Sequence, residues 1–114
     1  MSISPDLKCK WEAVRLVAFG GVGASYAVFG DPLAHPISIL RITSTLDSDV
    51  YISFDGVTDH VYVATLESFV YDLSSNKSGY TLVIPKGTQM YLKRGPGGAS
   101  TVGGITAMTT YGTM

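Results

Sequence analysis

Histidines and carboxylates are the side chains with which this chain could perform catalysis, and it contains only two histidines. A nucleophile-and-base mechanism needs a histidine that is positioned by a carboxylate. His35 lies between Pro32 and Pro36 in a connecting segment, and His60 follows Asp59 just before a strand. No serine lies in a nucleophile-elbow pattern, and no two carboxylates have a spacing that indicates an acid and a base. The sequence therefore predicts a protein that is not an enzyme and has no catalytic residues.

Two glycine-rich stretches raise the question of phosphate binding, and neither has the required pattern. Residues 20–23 read GGVG, but the dinucleotide-binding pattern needs a further glycine where this chain has Tyr26. Residues 95–100 read GPGGAS and lack the lysine of a phosphate-binding loop. We therefore expect tight turns here and predict no cofactor. The lone cysteine, Cys9, excludes an internal disulfide bond and a cysteine-based zinc site, and it is typical of a protein made in a reducing cytosol.

Four aspartates are the candidate metal ligands. Asp47, Asp49, Asp55 and Asp59 carry oxygen ligands of the kind that calcium prefers. A calcium loop also needs a bidentate partner close by, and Glu67 is too distant along the chain. Aspartates are also the expected residues in turns. We therefore predict turns at these positions and no metal site.

Short stretches of strand-favouring residues run along the chain, separated by turn signals, and no segment has a helical period. Their spacing of about 8–12 residues is typical of an antiparallel sandwich rather than of a parallel sheet, which needs crossover helices. We therefore predict an all-β fold, an antiparallel β-sandwich similar to a jelly roll, as a single domain over residues 1–114. The eight or nine predicted strands cover residues 11–19, 26–29, 37–43, 50–54, 61–63, 67–73, 81–84, 90–93 and 105–111.

Alternation within these stretches predicts which side chains form the core. Val50, Ile52 and Phe54 share one face of their strand. The Asp55-Gly56 pair that follows is expected to begin the turn of a hairpin. The predicted core consists of Val50, Ile52, Phe54, Phe69, Leu82, Ile84, Met90 and Leu92, together with Ile39 or its neighbours.

Tyrosines alternate with apolar residues in several predicted strands. Tyr51, Tyr62, Tyr71 and Tyr91 are therefore expected to face away from the core. One interpretation is that tyrosine occurs here because it favours strands. A second is a protein–protein interface, and a third is a platform on which sugars stack, with Trp11 as a further candidate.

Charge is unevenly distributed along the chain. Residues 47–76 contain six acids and no base, whereas residues 77–114 contain four bases and no acid. One interpretation is chance placement of solvated side chains. The other is a subunit whose acidic patch meets a basic patch on its neighbour and so steers head-to-tail assembly. The residues expected at such a contact are Lys93, Arg94, Glu67 and Asp72.

Composition narrows the classes of partner. Because 46% of the residues are hydrophobic and 15% are charged, a disordered chain is excluded. We expect no membrane span, since no apolar window approaches the roughly 18 residues that a span needs. Residues 1–10 lack the apolar stretch of a secretory signal. No region is basic enough to predict specific binding of nucleic acid.

Short motifs distributed along the chain carry a family resemblance. They are KWEAVR at residues 10–15, SFDGVTDH at 53–60, Tyr71-Asp72 with Ser75-Asn76-Lys77, PKGTQMYLK at 85–93, and a C-terminal strand that ends at Tyr111. In these motifs the chain resembles a group of small structural proteins of tailed bacteriophages, which are encoded among the genes for head and tail morphogenesis.

The resemblance implies a virion component, made in the cytoplasm of the host bacterium and built as a β-sandwich. The leading expectation is a homo-oligomeric ring, collar or adaptor at the head–tail junction, in contact with portal, tail or major capsid protein. A capsid decoration or cement protein is the first alternative, and a carbohydrate-binding module is the second. Because the residues from Thr101 onward are rich in Gly, Thr and Met, we expect the C-terminus to be an assembly arm, and we expect a second arm at the N-terminus.

Overall fold

The computed structural model describes residues 8–72 and 83–113, with the backbone alone at positions 8, 9, 112 and 113. The predictions for the Cys9 thiol, for Leu82 and for an arm at residues 1–7 lie outside the described residues. Within them the chain is nearly all-β, with nine strands and one short 3-10 turn, Phe19–Gly21. The strands are β1 (Lys8–Trp11), β2 (Arg15–Ala18), β3 (Ala27–Val28), β4 (Ile39–Ser44), β5 (Val50–Ser53), β6 (Val61–Val63), β7 (Ser68–Asp72), β8 (Tyr91–Arg94) and β9 (Gly104–Thr113).

Two antiparallel sheets form the predicted β-sandwich. The five-stranded sheet has the order β1-β9-β4-β7, and β2 also pairs with β9. The four-stranded sheet has the order β3-β8-β5-β6. When β1 and β2 are counted as one interrupted strand, each sheet has four strands, and every connection except the β5–β6 hairpin crosses to the other sheet. This is the strand order of a jelly roll.

A β-bulge interrupts the first predicted strand. The Glu12 N–H donates to the Thr109 carbonyl, whereas Arg15 aligns with Ala107. Two residues of the bulged strand therefore lie opposite Met108 alone, which is the defining feature of a bulge. The extra residue reverses the alternation, so the side chains of Glu12 and Arg15 point to the same side and are both buried.

The core lies between the two sheets and contains most of its predicted members. Val50, Ile52, Met90 and Leu92 are fully buried. Phe54, Phe69 and Ile84 are partly buried and pack against them. At the start of β4 the neighbours Leu40 and Ile42 are buried, and Ile39 is less so. Residues that the prediction missed also contribute, namely Val22, Phe29, Leu33, Ile37, Leu46, Val63, Ile105 and Ala107.

The structure differs from the prediction in two places, the predicted strand 81–84 and the C-terminal strand. Near the predicted strand 81–84, Ile84 forms only an isolated bridge with Ile37, and residues 81–82 lie outside the described residues. At the C-terminus, β9 pairs with β1, β2 and β4 of its own chain as far as Thr113, where composition predicts an arm. The side chains of Ala107 and Thr109 in this strand are completely buried.

Candidate functional site

Three tyrosines and a lysine meet on the outer face of the four-stranded sheet, and we call Tyr26, Tyr51, Tyr62 and Lys93 the tyrosine cluster. Tyr51 lies beside Lys93 on one side and Tyr62 on the other, with the two tyrosine ring centroids 5.6 Å apart. The Lys93 ammonium lies 4.7 Å from the Tyr26 ring centroid and 5.7 Å from that of Tyr51. These distances are those of cation–π contacts.

Carboxylates hold the hydroxyl ends of this cluster. The Tyr26 hydroxyl donates to Asp59 at 2.5 Å, and the Tyr62 hydroxyl donates to Asp49. The hydrogen bond to Asp49 raises the pKa of Tyr62 to about 12. Burial, followed by the bond to Asp59, raises the pKa of Tyr26 above its usual value. Lys93 also reaches Asp59, at 3.2 Å, so the cluster is tied together by polar contacts as well as by its rings.

The predicted interface residues of β8 differ in exposure and in their contacts. Lys93 is partly buried, because its ammonium is engaged by Asp59 of its own chain. Arg94 is exposed at the end of β8, opposite Val50. Tyr91 is partly buried, and its ring covers Gly56, where an added Cβ would lie 3.3 Å from it. That glycine has a φ of +80°, so the Asp55-Gly56 turn is compact enough to fit beneath the ring.

Tyr71 does not belong to the tyrosine cluster. It lies opposite Leu40 in the five-stranded sheet, on the side that faces the sandwich interior, and its ring stacks near that of Phe69. With Phe54 and Ile84 it lines an apolar groove of about 890 Å³ between the open edges of the two sheets.

A buried ionic network lies under the bulge. Arg15 donates to Glu12 at 2.9 Å and, through its other nitrogens, to the Asp31 carbonyl at 2.9 Å and the Thr109 hydroxyl at 3.3 Å. Glu12 also accepts bonds from the His35 backbone at 2.8 Å and ring at 2.9 Å. Burial opposes the charge on Glu12, yet the bonds from Arg15 and His35 hold its pKa below the usual range. The network joins the first strand to the loop around residues 31–35.

His35 thus has the carboxylate partner that catalysis would require, although the partner is 23 residues away in sequence. Its ring stacks on Tyr111 with centroids 3.6 Å apart. Among the described side chains, those of residues 10–72 and 83–111, no hydroxyl forms a hydrogen bond with its second ring nitrogen. His60 accepts a bond from the Phe54 backbone N–H at 3.0 Å, a contact that supports the β5–β6 loop.

The four candidate metal ligands each stabilise a turn or a loop contact. Asp55 accepts the backbone N–H groups of Val57 and Thr58 at 2.8 Å, and these bonds lower its pKa. Asp47 binds the backbone and hydroxyl of Thr101, and Asp49 binds those of Thr65. No group of three potential metal ligands occurs among the described residues.

The outer face of the five-stranded sheet carries apolar side chains that sequence analysis did not single out as a surface. Leu16 is 66% exposed, Trp11 63% and Val70 57%. Each of the three pairs with a residue on the neighbouring strand. The residues before and after that partner point into the core, so the partner and the paired Leu16, Trp11 or Val70 point away from the other sheet. We call these residues the outer apolar face. The period-two pattern of their strands, once the bulge is known, would have identified it.

No family model matches the chain, and no curated protein sequence matches it significantly. Of the residues that the structure describes, none belongs to a helix that is long and apolar enough to cross a membrane.

Proposed function

We propose that this chain is a non-enzymatic structural subunit of a tailed-phage virion, which forms a ring, collar or adaptor at the head–tail junction. The motifs that resemble phage morphogenesis proteins support this, as does the jelly-roll topology, which viral capsid domains use. A fold is shared by many functions, so the surface carries the argument. The partners are other copies of the chain and the portal, tail or capsid proteins.

The outer apolar face is the observation on which the proposal depends. Trp11 and Leu16 are each more than 60% exposed although they stand on an ordered strand pair. Large apolar side chains that remain exposed on a folded domain are candidates for an interaction site, and Trp11 and Leu16 lie on the same edge of the sheet, both paired with β9. Aromatic anchors surrounded by a polar rim are typical of protein interfaces. A subunit that buries this face against a partner would remove the apolar side chains of Trp11 and Leu16 from water, which is favourable.

Copy number in purified particles tests the proposal and its nearest alternative, a capsid decoration protein. Quantitative mass spectrometry against the portal protein should find about a dozen or fewer copies per particle, as a closed ring requires. Several hundred copies would favour decoration, and absence from particles would refute both. Deletion of the gene gives a second readout. Tailless heads are expected for a junction subunit, whereas tailed particles that burst on heating would indicate a cement protein.

A carbohydrate-binding role is a second candidate, and the tyrosine cluster favours it. Tyr62 is half exposed beside Tyr51, with Asp49 and Asp59 at hydrogen-bonding positions around the rings. Aromatic faces beside carboxylates are suited to sugar rings and their hydroxyl groups. Titration with host surface polysaccharide should then shift the NMR signals of the cluster, and Tyr62→Ala should abolish the shifts while Tyr71→Ala preserves them. No response at millimolar sugar would eliminate this role.

A further inference from the structure

We propose that the Asp55-Gly56 turn is a site of spontaneous isoaspartate formation, and that the buried hydroxyl of Ser53 keeps this reaction slow in the folded protein. Asp55-Gly56 is the only Asp-Gly pair in the chain. Glycine has no side chain to shield its backbone nitrogen, so this pair is the one most open to attack of that nitrogen on the preceding carboxyl group. This chemistry is independent of the proposed function.

The isomerisation runs through a cyclic imide. The Gly56 nitrogen bonds to Cγ of Asp55, and the nitrogen's proton leaves with the hydroxyl of the neutral carboxyl group as water. A second water molecule then opens the ring. Opening at Cγ restores aspartate, whereas opening at the main-chain carbonyl carbon gives isoaspartate, in which the main chain passes through Cβ and Cγ. The product has the mass of the starting chain, and no oxidant or cofactor takes part.

Hydrogen bonds hold the carboxyl group in its unreactive form. The Asp55 Oδ1 atom accepts the backbone N–H groups of Thr58 and Val57 and the hydroxyl of Ser53, each at 2.8 Å. These bonds favour the carboxylate and hold the pKa of Asp55 below its usual range. The carboxylate is a poor target for the nitrogen, because the hydroxyl that must leave is present only in the neutral acid.

Ser53 also holds the attacking nitrogen. Its hydroxyl oxygen accepts the Gly56 N–H at 2.9 Å, which stabilises the protonated nitrogen, whereas attack requires that proton to be lost. Ser53 is completely buried at the end of β5. A single enclosed hydroxyl therefore engages both partners of the reaction, the carboxyl group through its proton and the amide through its oxygen.

The turn has little room for the product. Gly56 has a φ of +80° and lies so close beneath the Tyr91 ring that an added Cβ would be 3.3 Å from it. Isoaspartate adds one carbon to the main chain between β5 and β6 and moves the carboxylate to Cα. We therefore expect the product to loosen this hairpin, because the bonds from Val57 and Thr58 to the carboxylate depend on the original side chain.

Mass spectrometry with fragmentation that separates the two isomers measures isoaspartate at position 55 after storage of the purified full-length chain at neutral pH. Three samples are compared, namely the folded chain, the same chain unfolded in guanidinium chloride, and folded Ser53→Ala. We expect the folded chain to react slowest and the unfolded chain fastest. Ser53→Ala should react about ten times faster than the folded unmodified chain, since a tenfold change corresponds to about 1.4 kcal/mol, the size of one hydrogen bond.

Ser100→Ala is the matched control. Its hydroxyl is also buried and bonds to that of Ser48 at 2.6 Å, in a different part of the chain. Thermal melting verifies that both variants are folded, and Ser100→Ala should leave the rate at Asp55 unchanged. Equal rates in the folded and unfolded unmodified chain would overturn the proposal, and this comparison needs no variant. A Ser53→Ala rate equal to that of the unmodified chain, or matched by Ser100→Ala, would also overturn it.

Discussion

Removing the Glu12 carboxylate should be among the most damaging single changes in this protein. Its side chain is 5% exposed, and that of its partner Arg15 is 8% exposed. In Glu12→Ala the guanidinium stays buried and loses its only anionic partner at hydrogen-bonding distance among the described residues, while the His35 backbone N–H loses its acceptor. A buried charge without a partner is costly, because the protein interior solvates it poorly.

The magnitude follows from what remains around the guanidinium. Breaking a buried ion pair from one side costs about 3–5 kcal/mol. Glu12→Gln keeps an acceptor oxygen, and Arg15 keeps its bonds to the Asp31 carbonyl and the Thr109 hydroxyl, so the loss should be nearer the 1.5–3 kcal/mol or so of a charged hydrogen bond. Small domains have an unfolding free energy of about 5–15 kcal/mol in total, so Glu12→Gln should remain folded and melt earlier, whereas Glu12→Ala should lose a large share of the total.

Urea unfolding monitored by circular dichroism measures both variants at neutral pH. Each kcal/mol lost should lower the melting temperature by about 4–8 °C. The double variant Glu12→Ala/Arg15→Met removes the stranded charge and should recover much of the loss. If Glu12→Ala costs less than about 1 kcal/mol, or the double variant is no better than the single one, the network does not stabilise the fold as reasoned.

Acid should remove the same stabilisation. The folded pKa of Glu12 is lowered, so the unfolded chain binds the proton more readily. The contribution is complete above the unfolded value of about 4.3 and is lost as the pH falls through the lower folded value. The difference in unfolding free energy between the unmodified chain and Glu12→Gln should therefore shrink in acid. A difference that stays constant down to the folded pKa and below it would contradict this.

Three further changes test the core, a turn and the tyrosine cluster. Ile52→Ala should cost about 2–5 kcal/mol in urea unfolding, and Ile52→Val only about 0.5–1.5, because the residue is completely enclosed between the sheets. Gly103→Ala should destabilise much more than Gly87→Ala, since both have a φ near +88° but only the former would place a Cβ 2.0 Å from a backbone oxygen. Equal losses of stability in the two variants would show that the positive φ, and not the close contact, determines the cost. Asp49→Asn should lower the pKa of Tyr62 from about 12 toward 10, as followed by tyrosinate absorbance. An unchanged pKa would show that the Asp49 carboxylate does not act on the Tyr62 hydroxyl.

Local alternation was sufficient to predict the all-β class and most strand positions. Val50 and Ile52 were assigned to the core because apolar residues alternate there with polar ones, and the structure confirms both. The Asp55-Gly56 turn follows from the positive φ that glycine tolerates. Phe54 is only partly buried because β5 ends at Ser53, one residue before the alternation does.

Pairing between distant segments could not be read in the same way. The bulge at the first strand shifts its alternation by one residue, and only the register against β9 reveals it. For the same reason the meeting of Glu12 with His35 has no local signal. The position of Tyr71 depends on which face of β7 packs inward, which is set by its partner Leu40 rather than by its own sequence.

The structure divides the acidic segment 47–76 into two groups. Its four aspartates from Asp47 to Asp59 accept hydrogen bonds within the chain. Asp55 caps its own turn, whereas Asp47, Asp49 and Asp59 bind residues of other segments. Glu67 precedes β7 and Asp72 ends it, and both are exposed. At least four of the six carboxylates of this segment are therefore engaged within the chain, so the segment does not form one acidic patch.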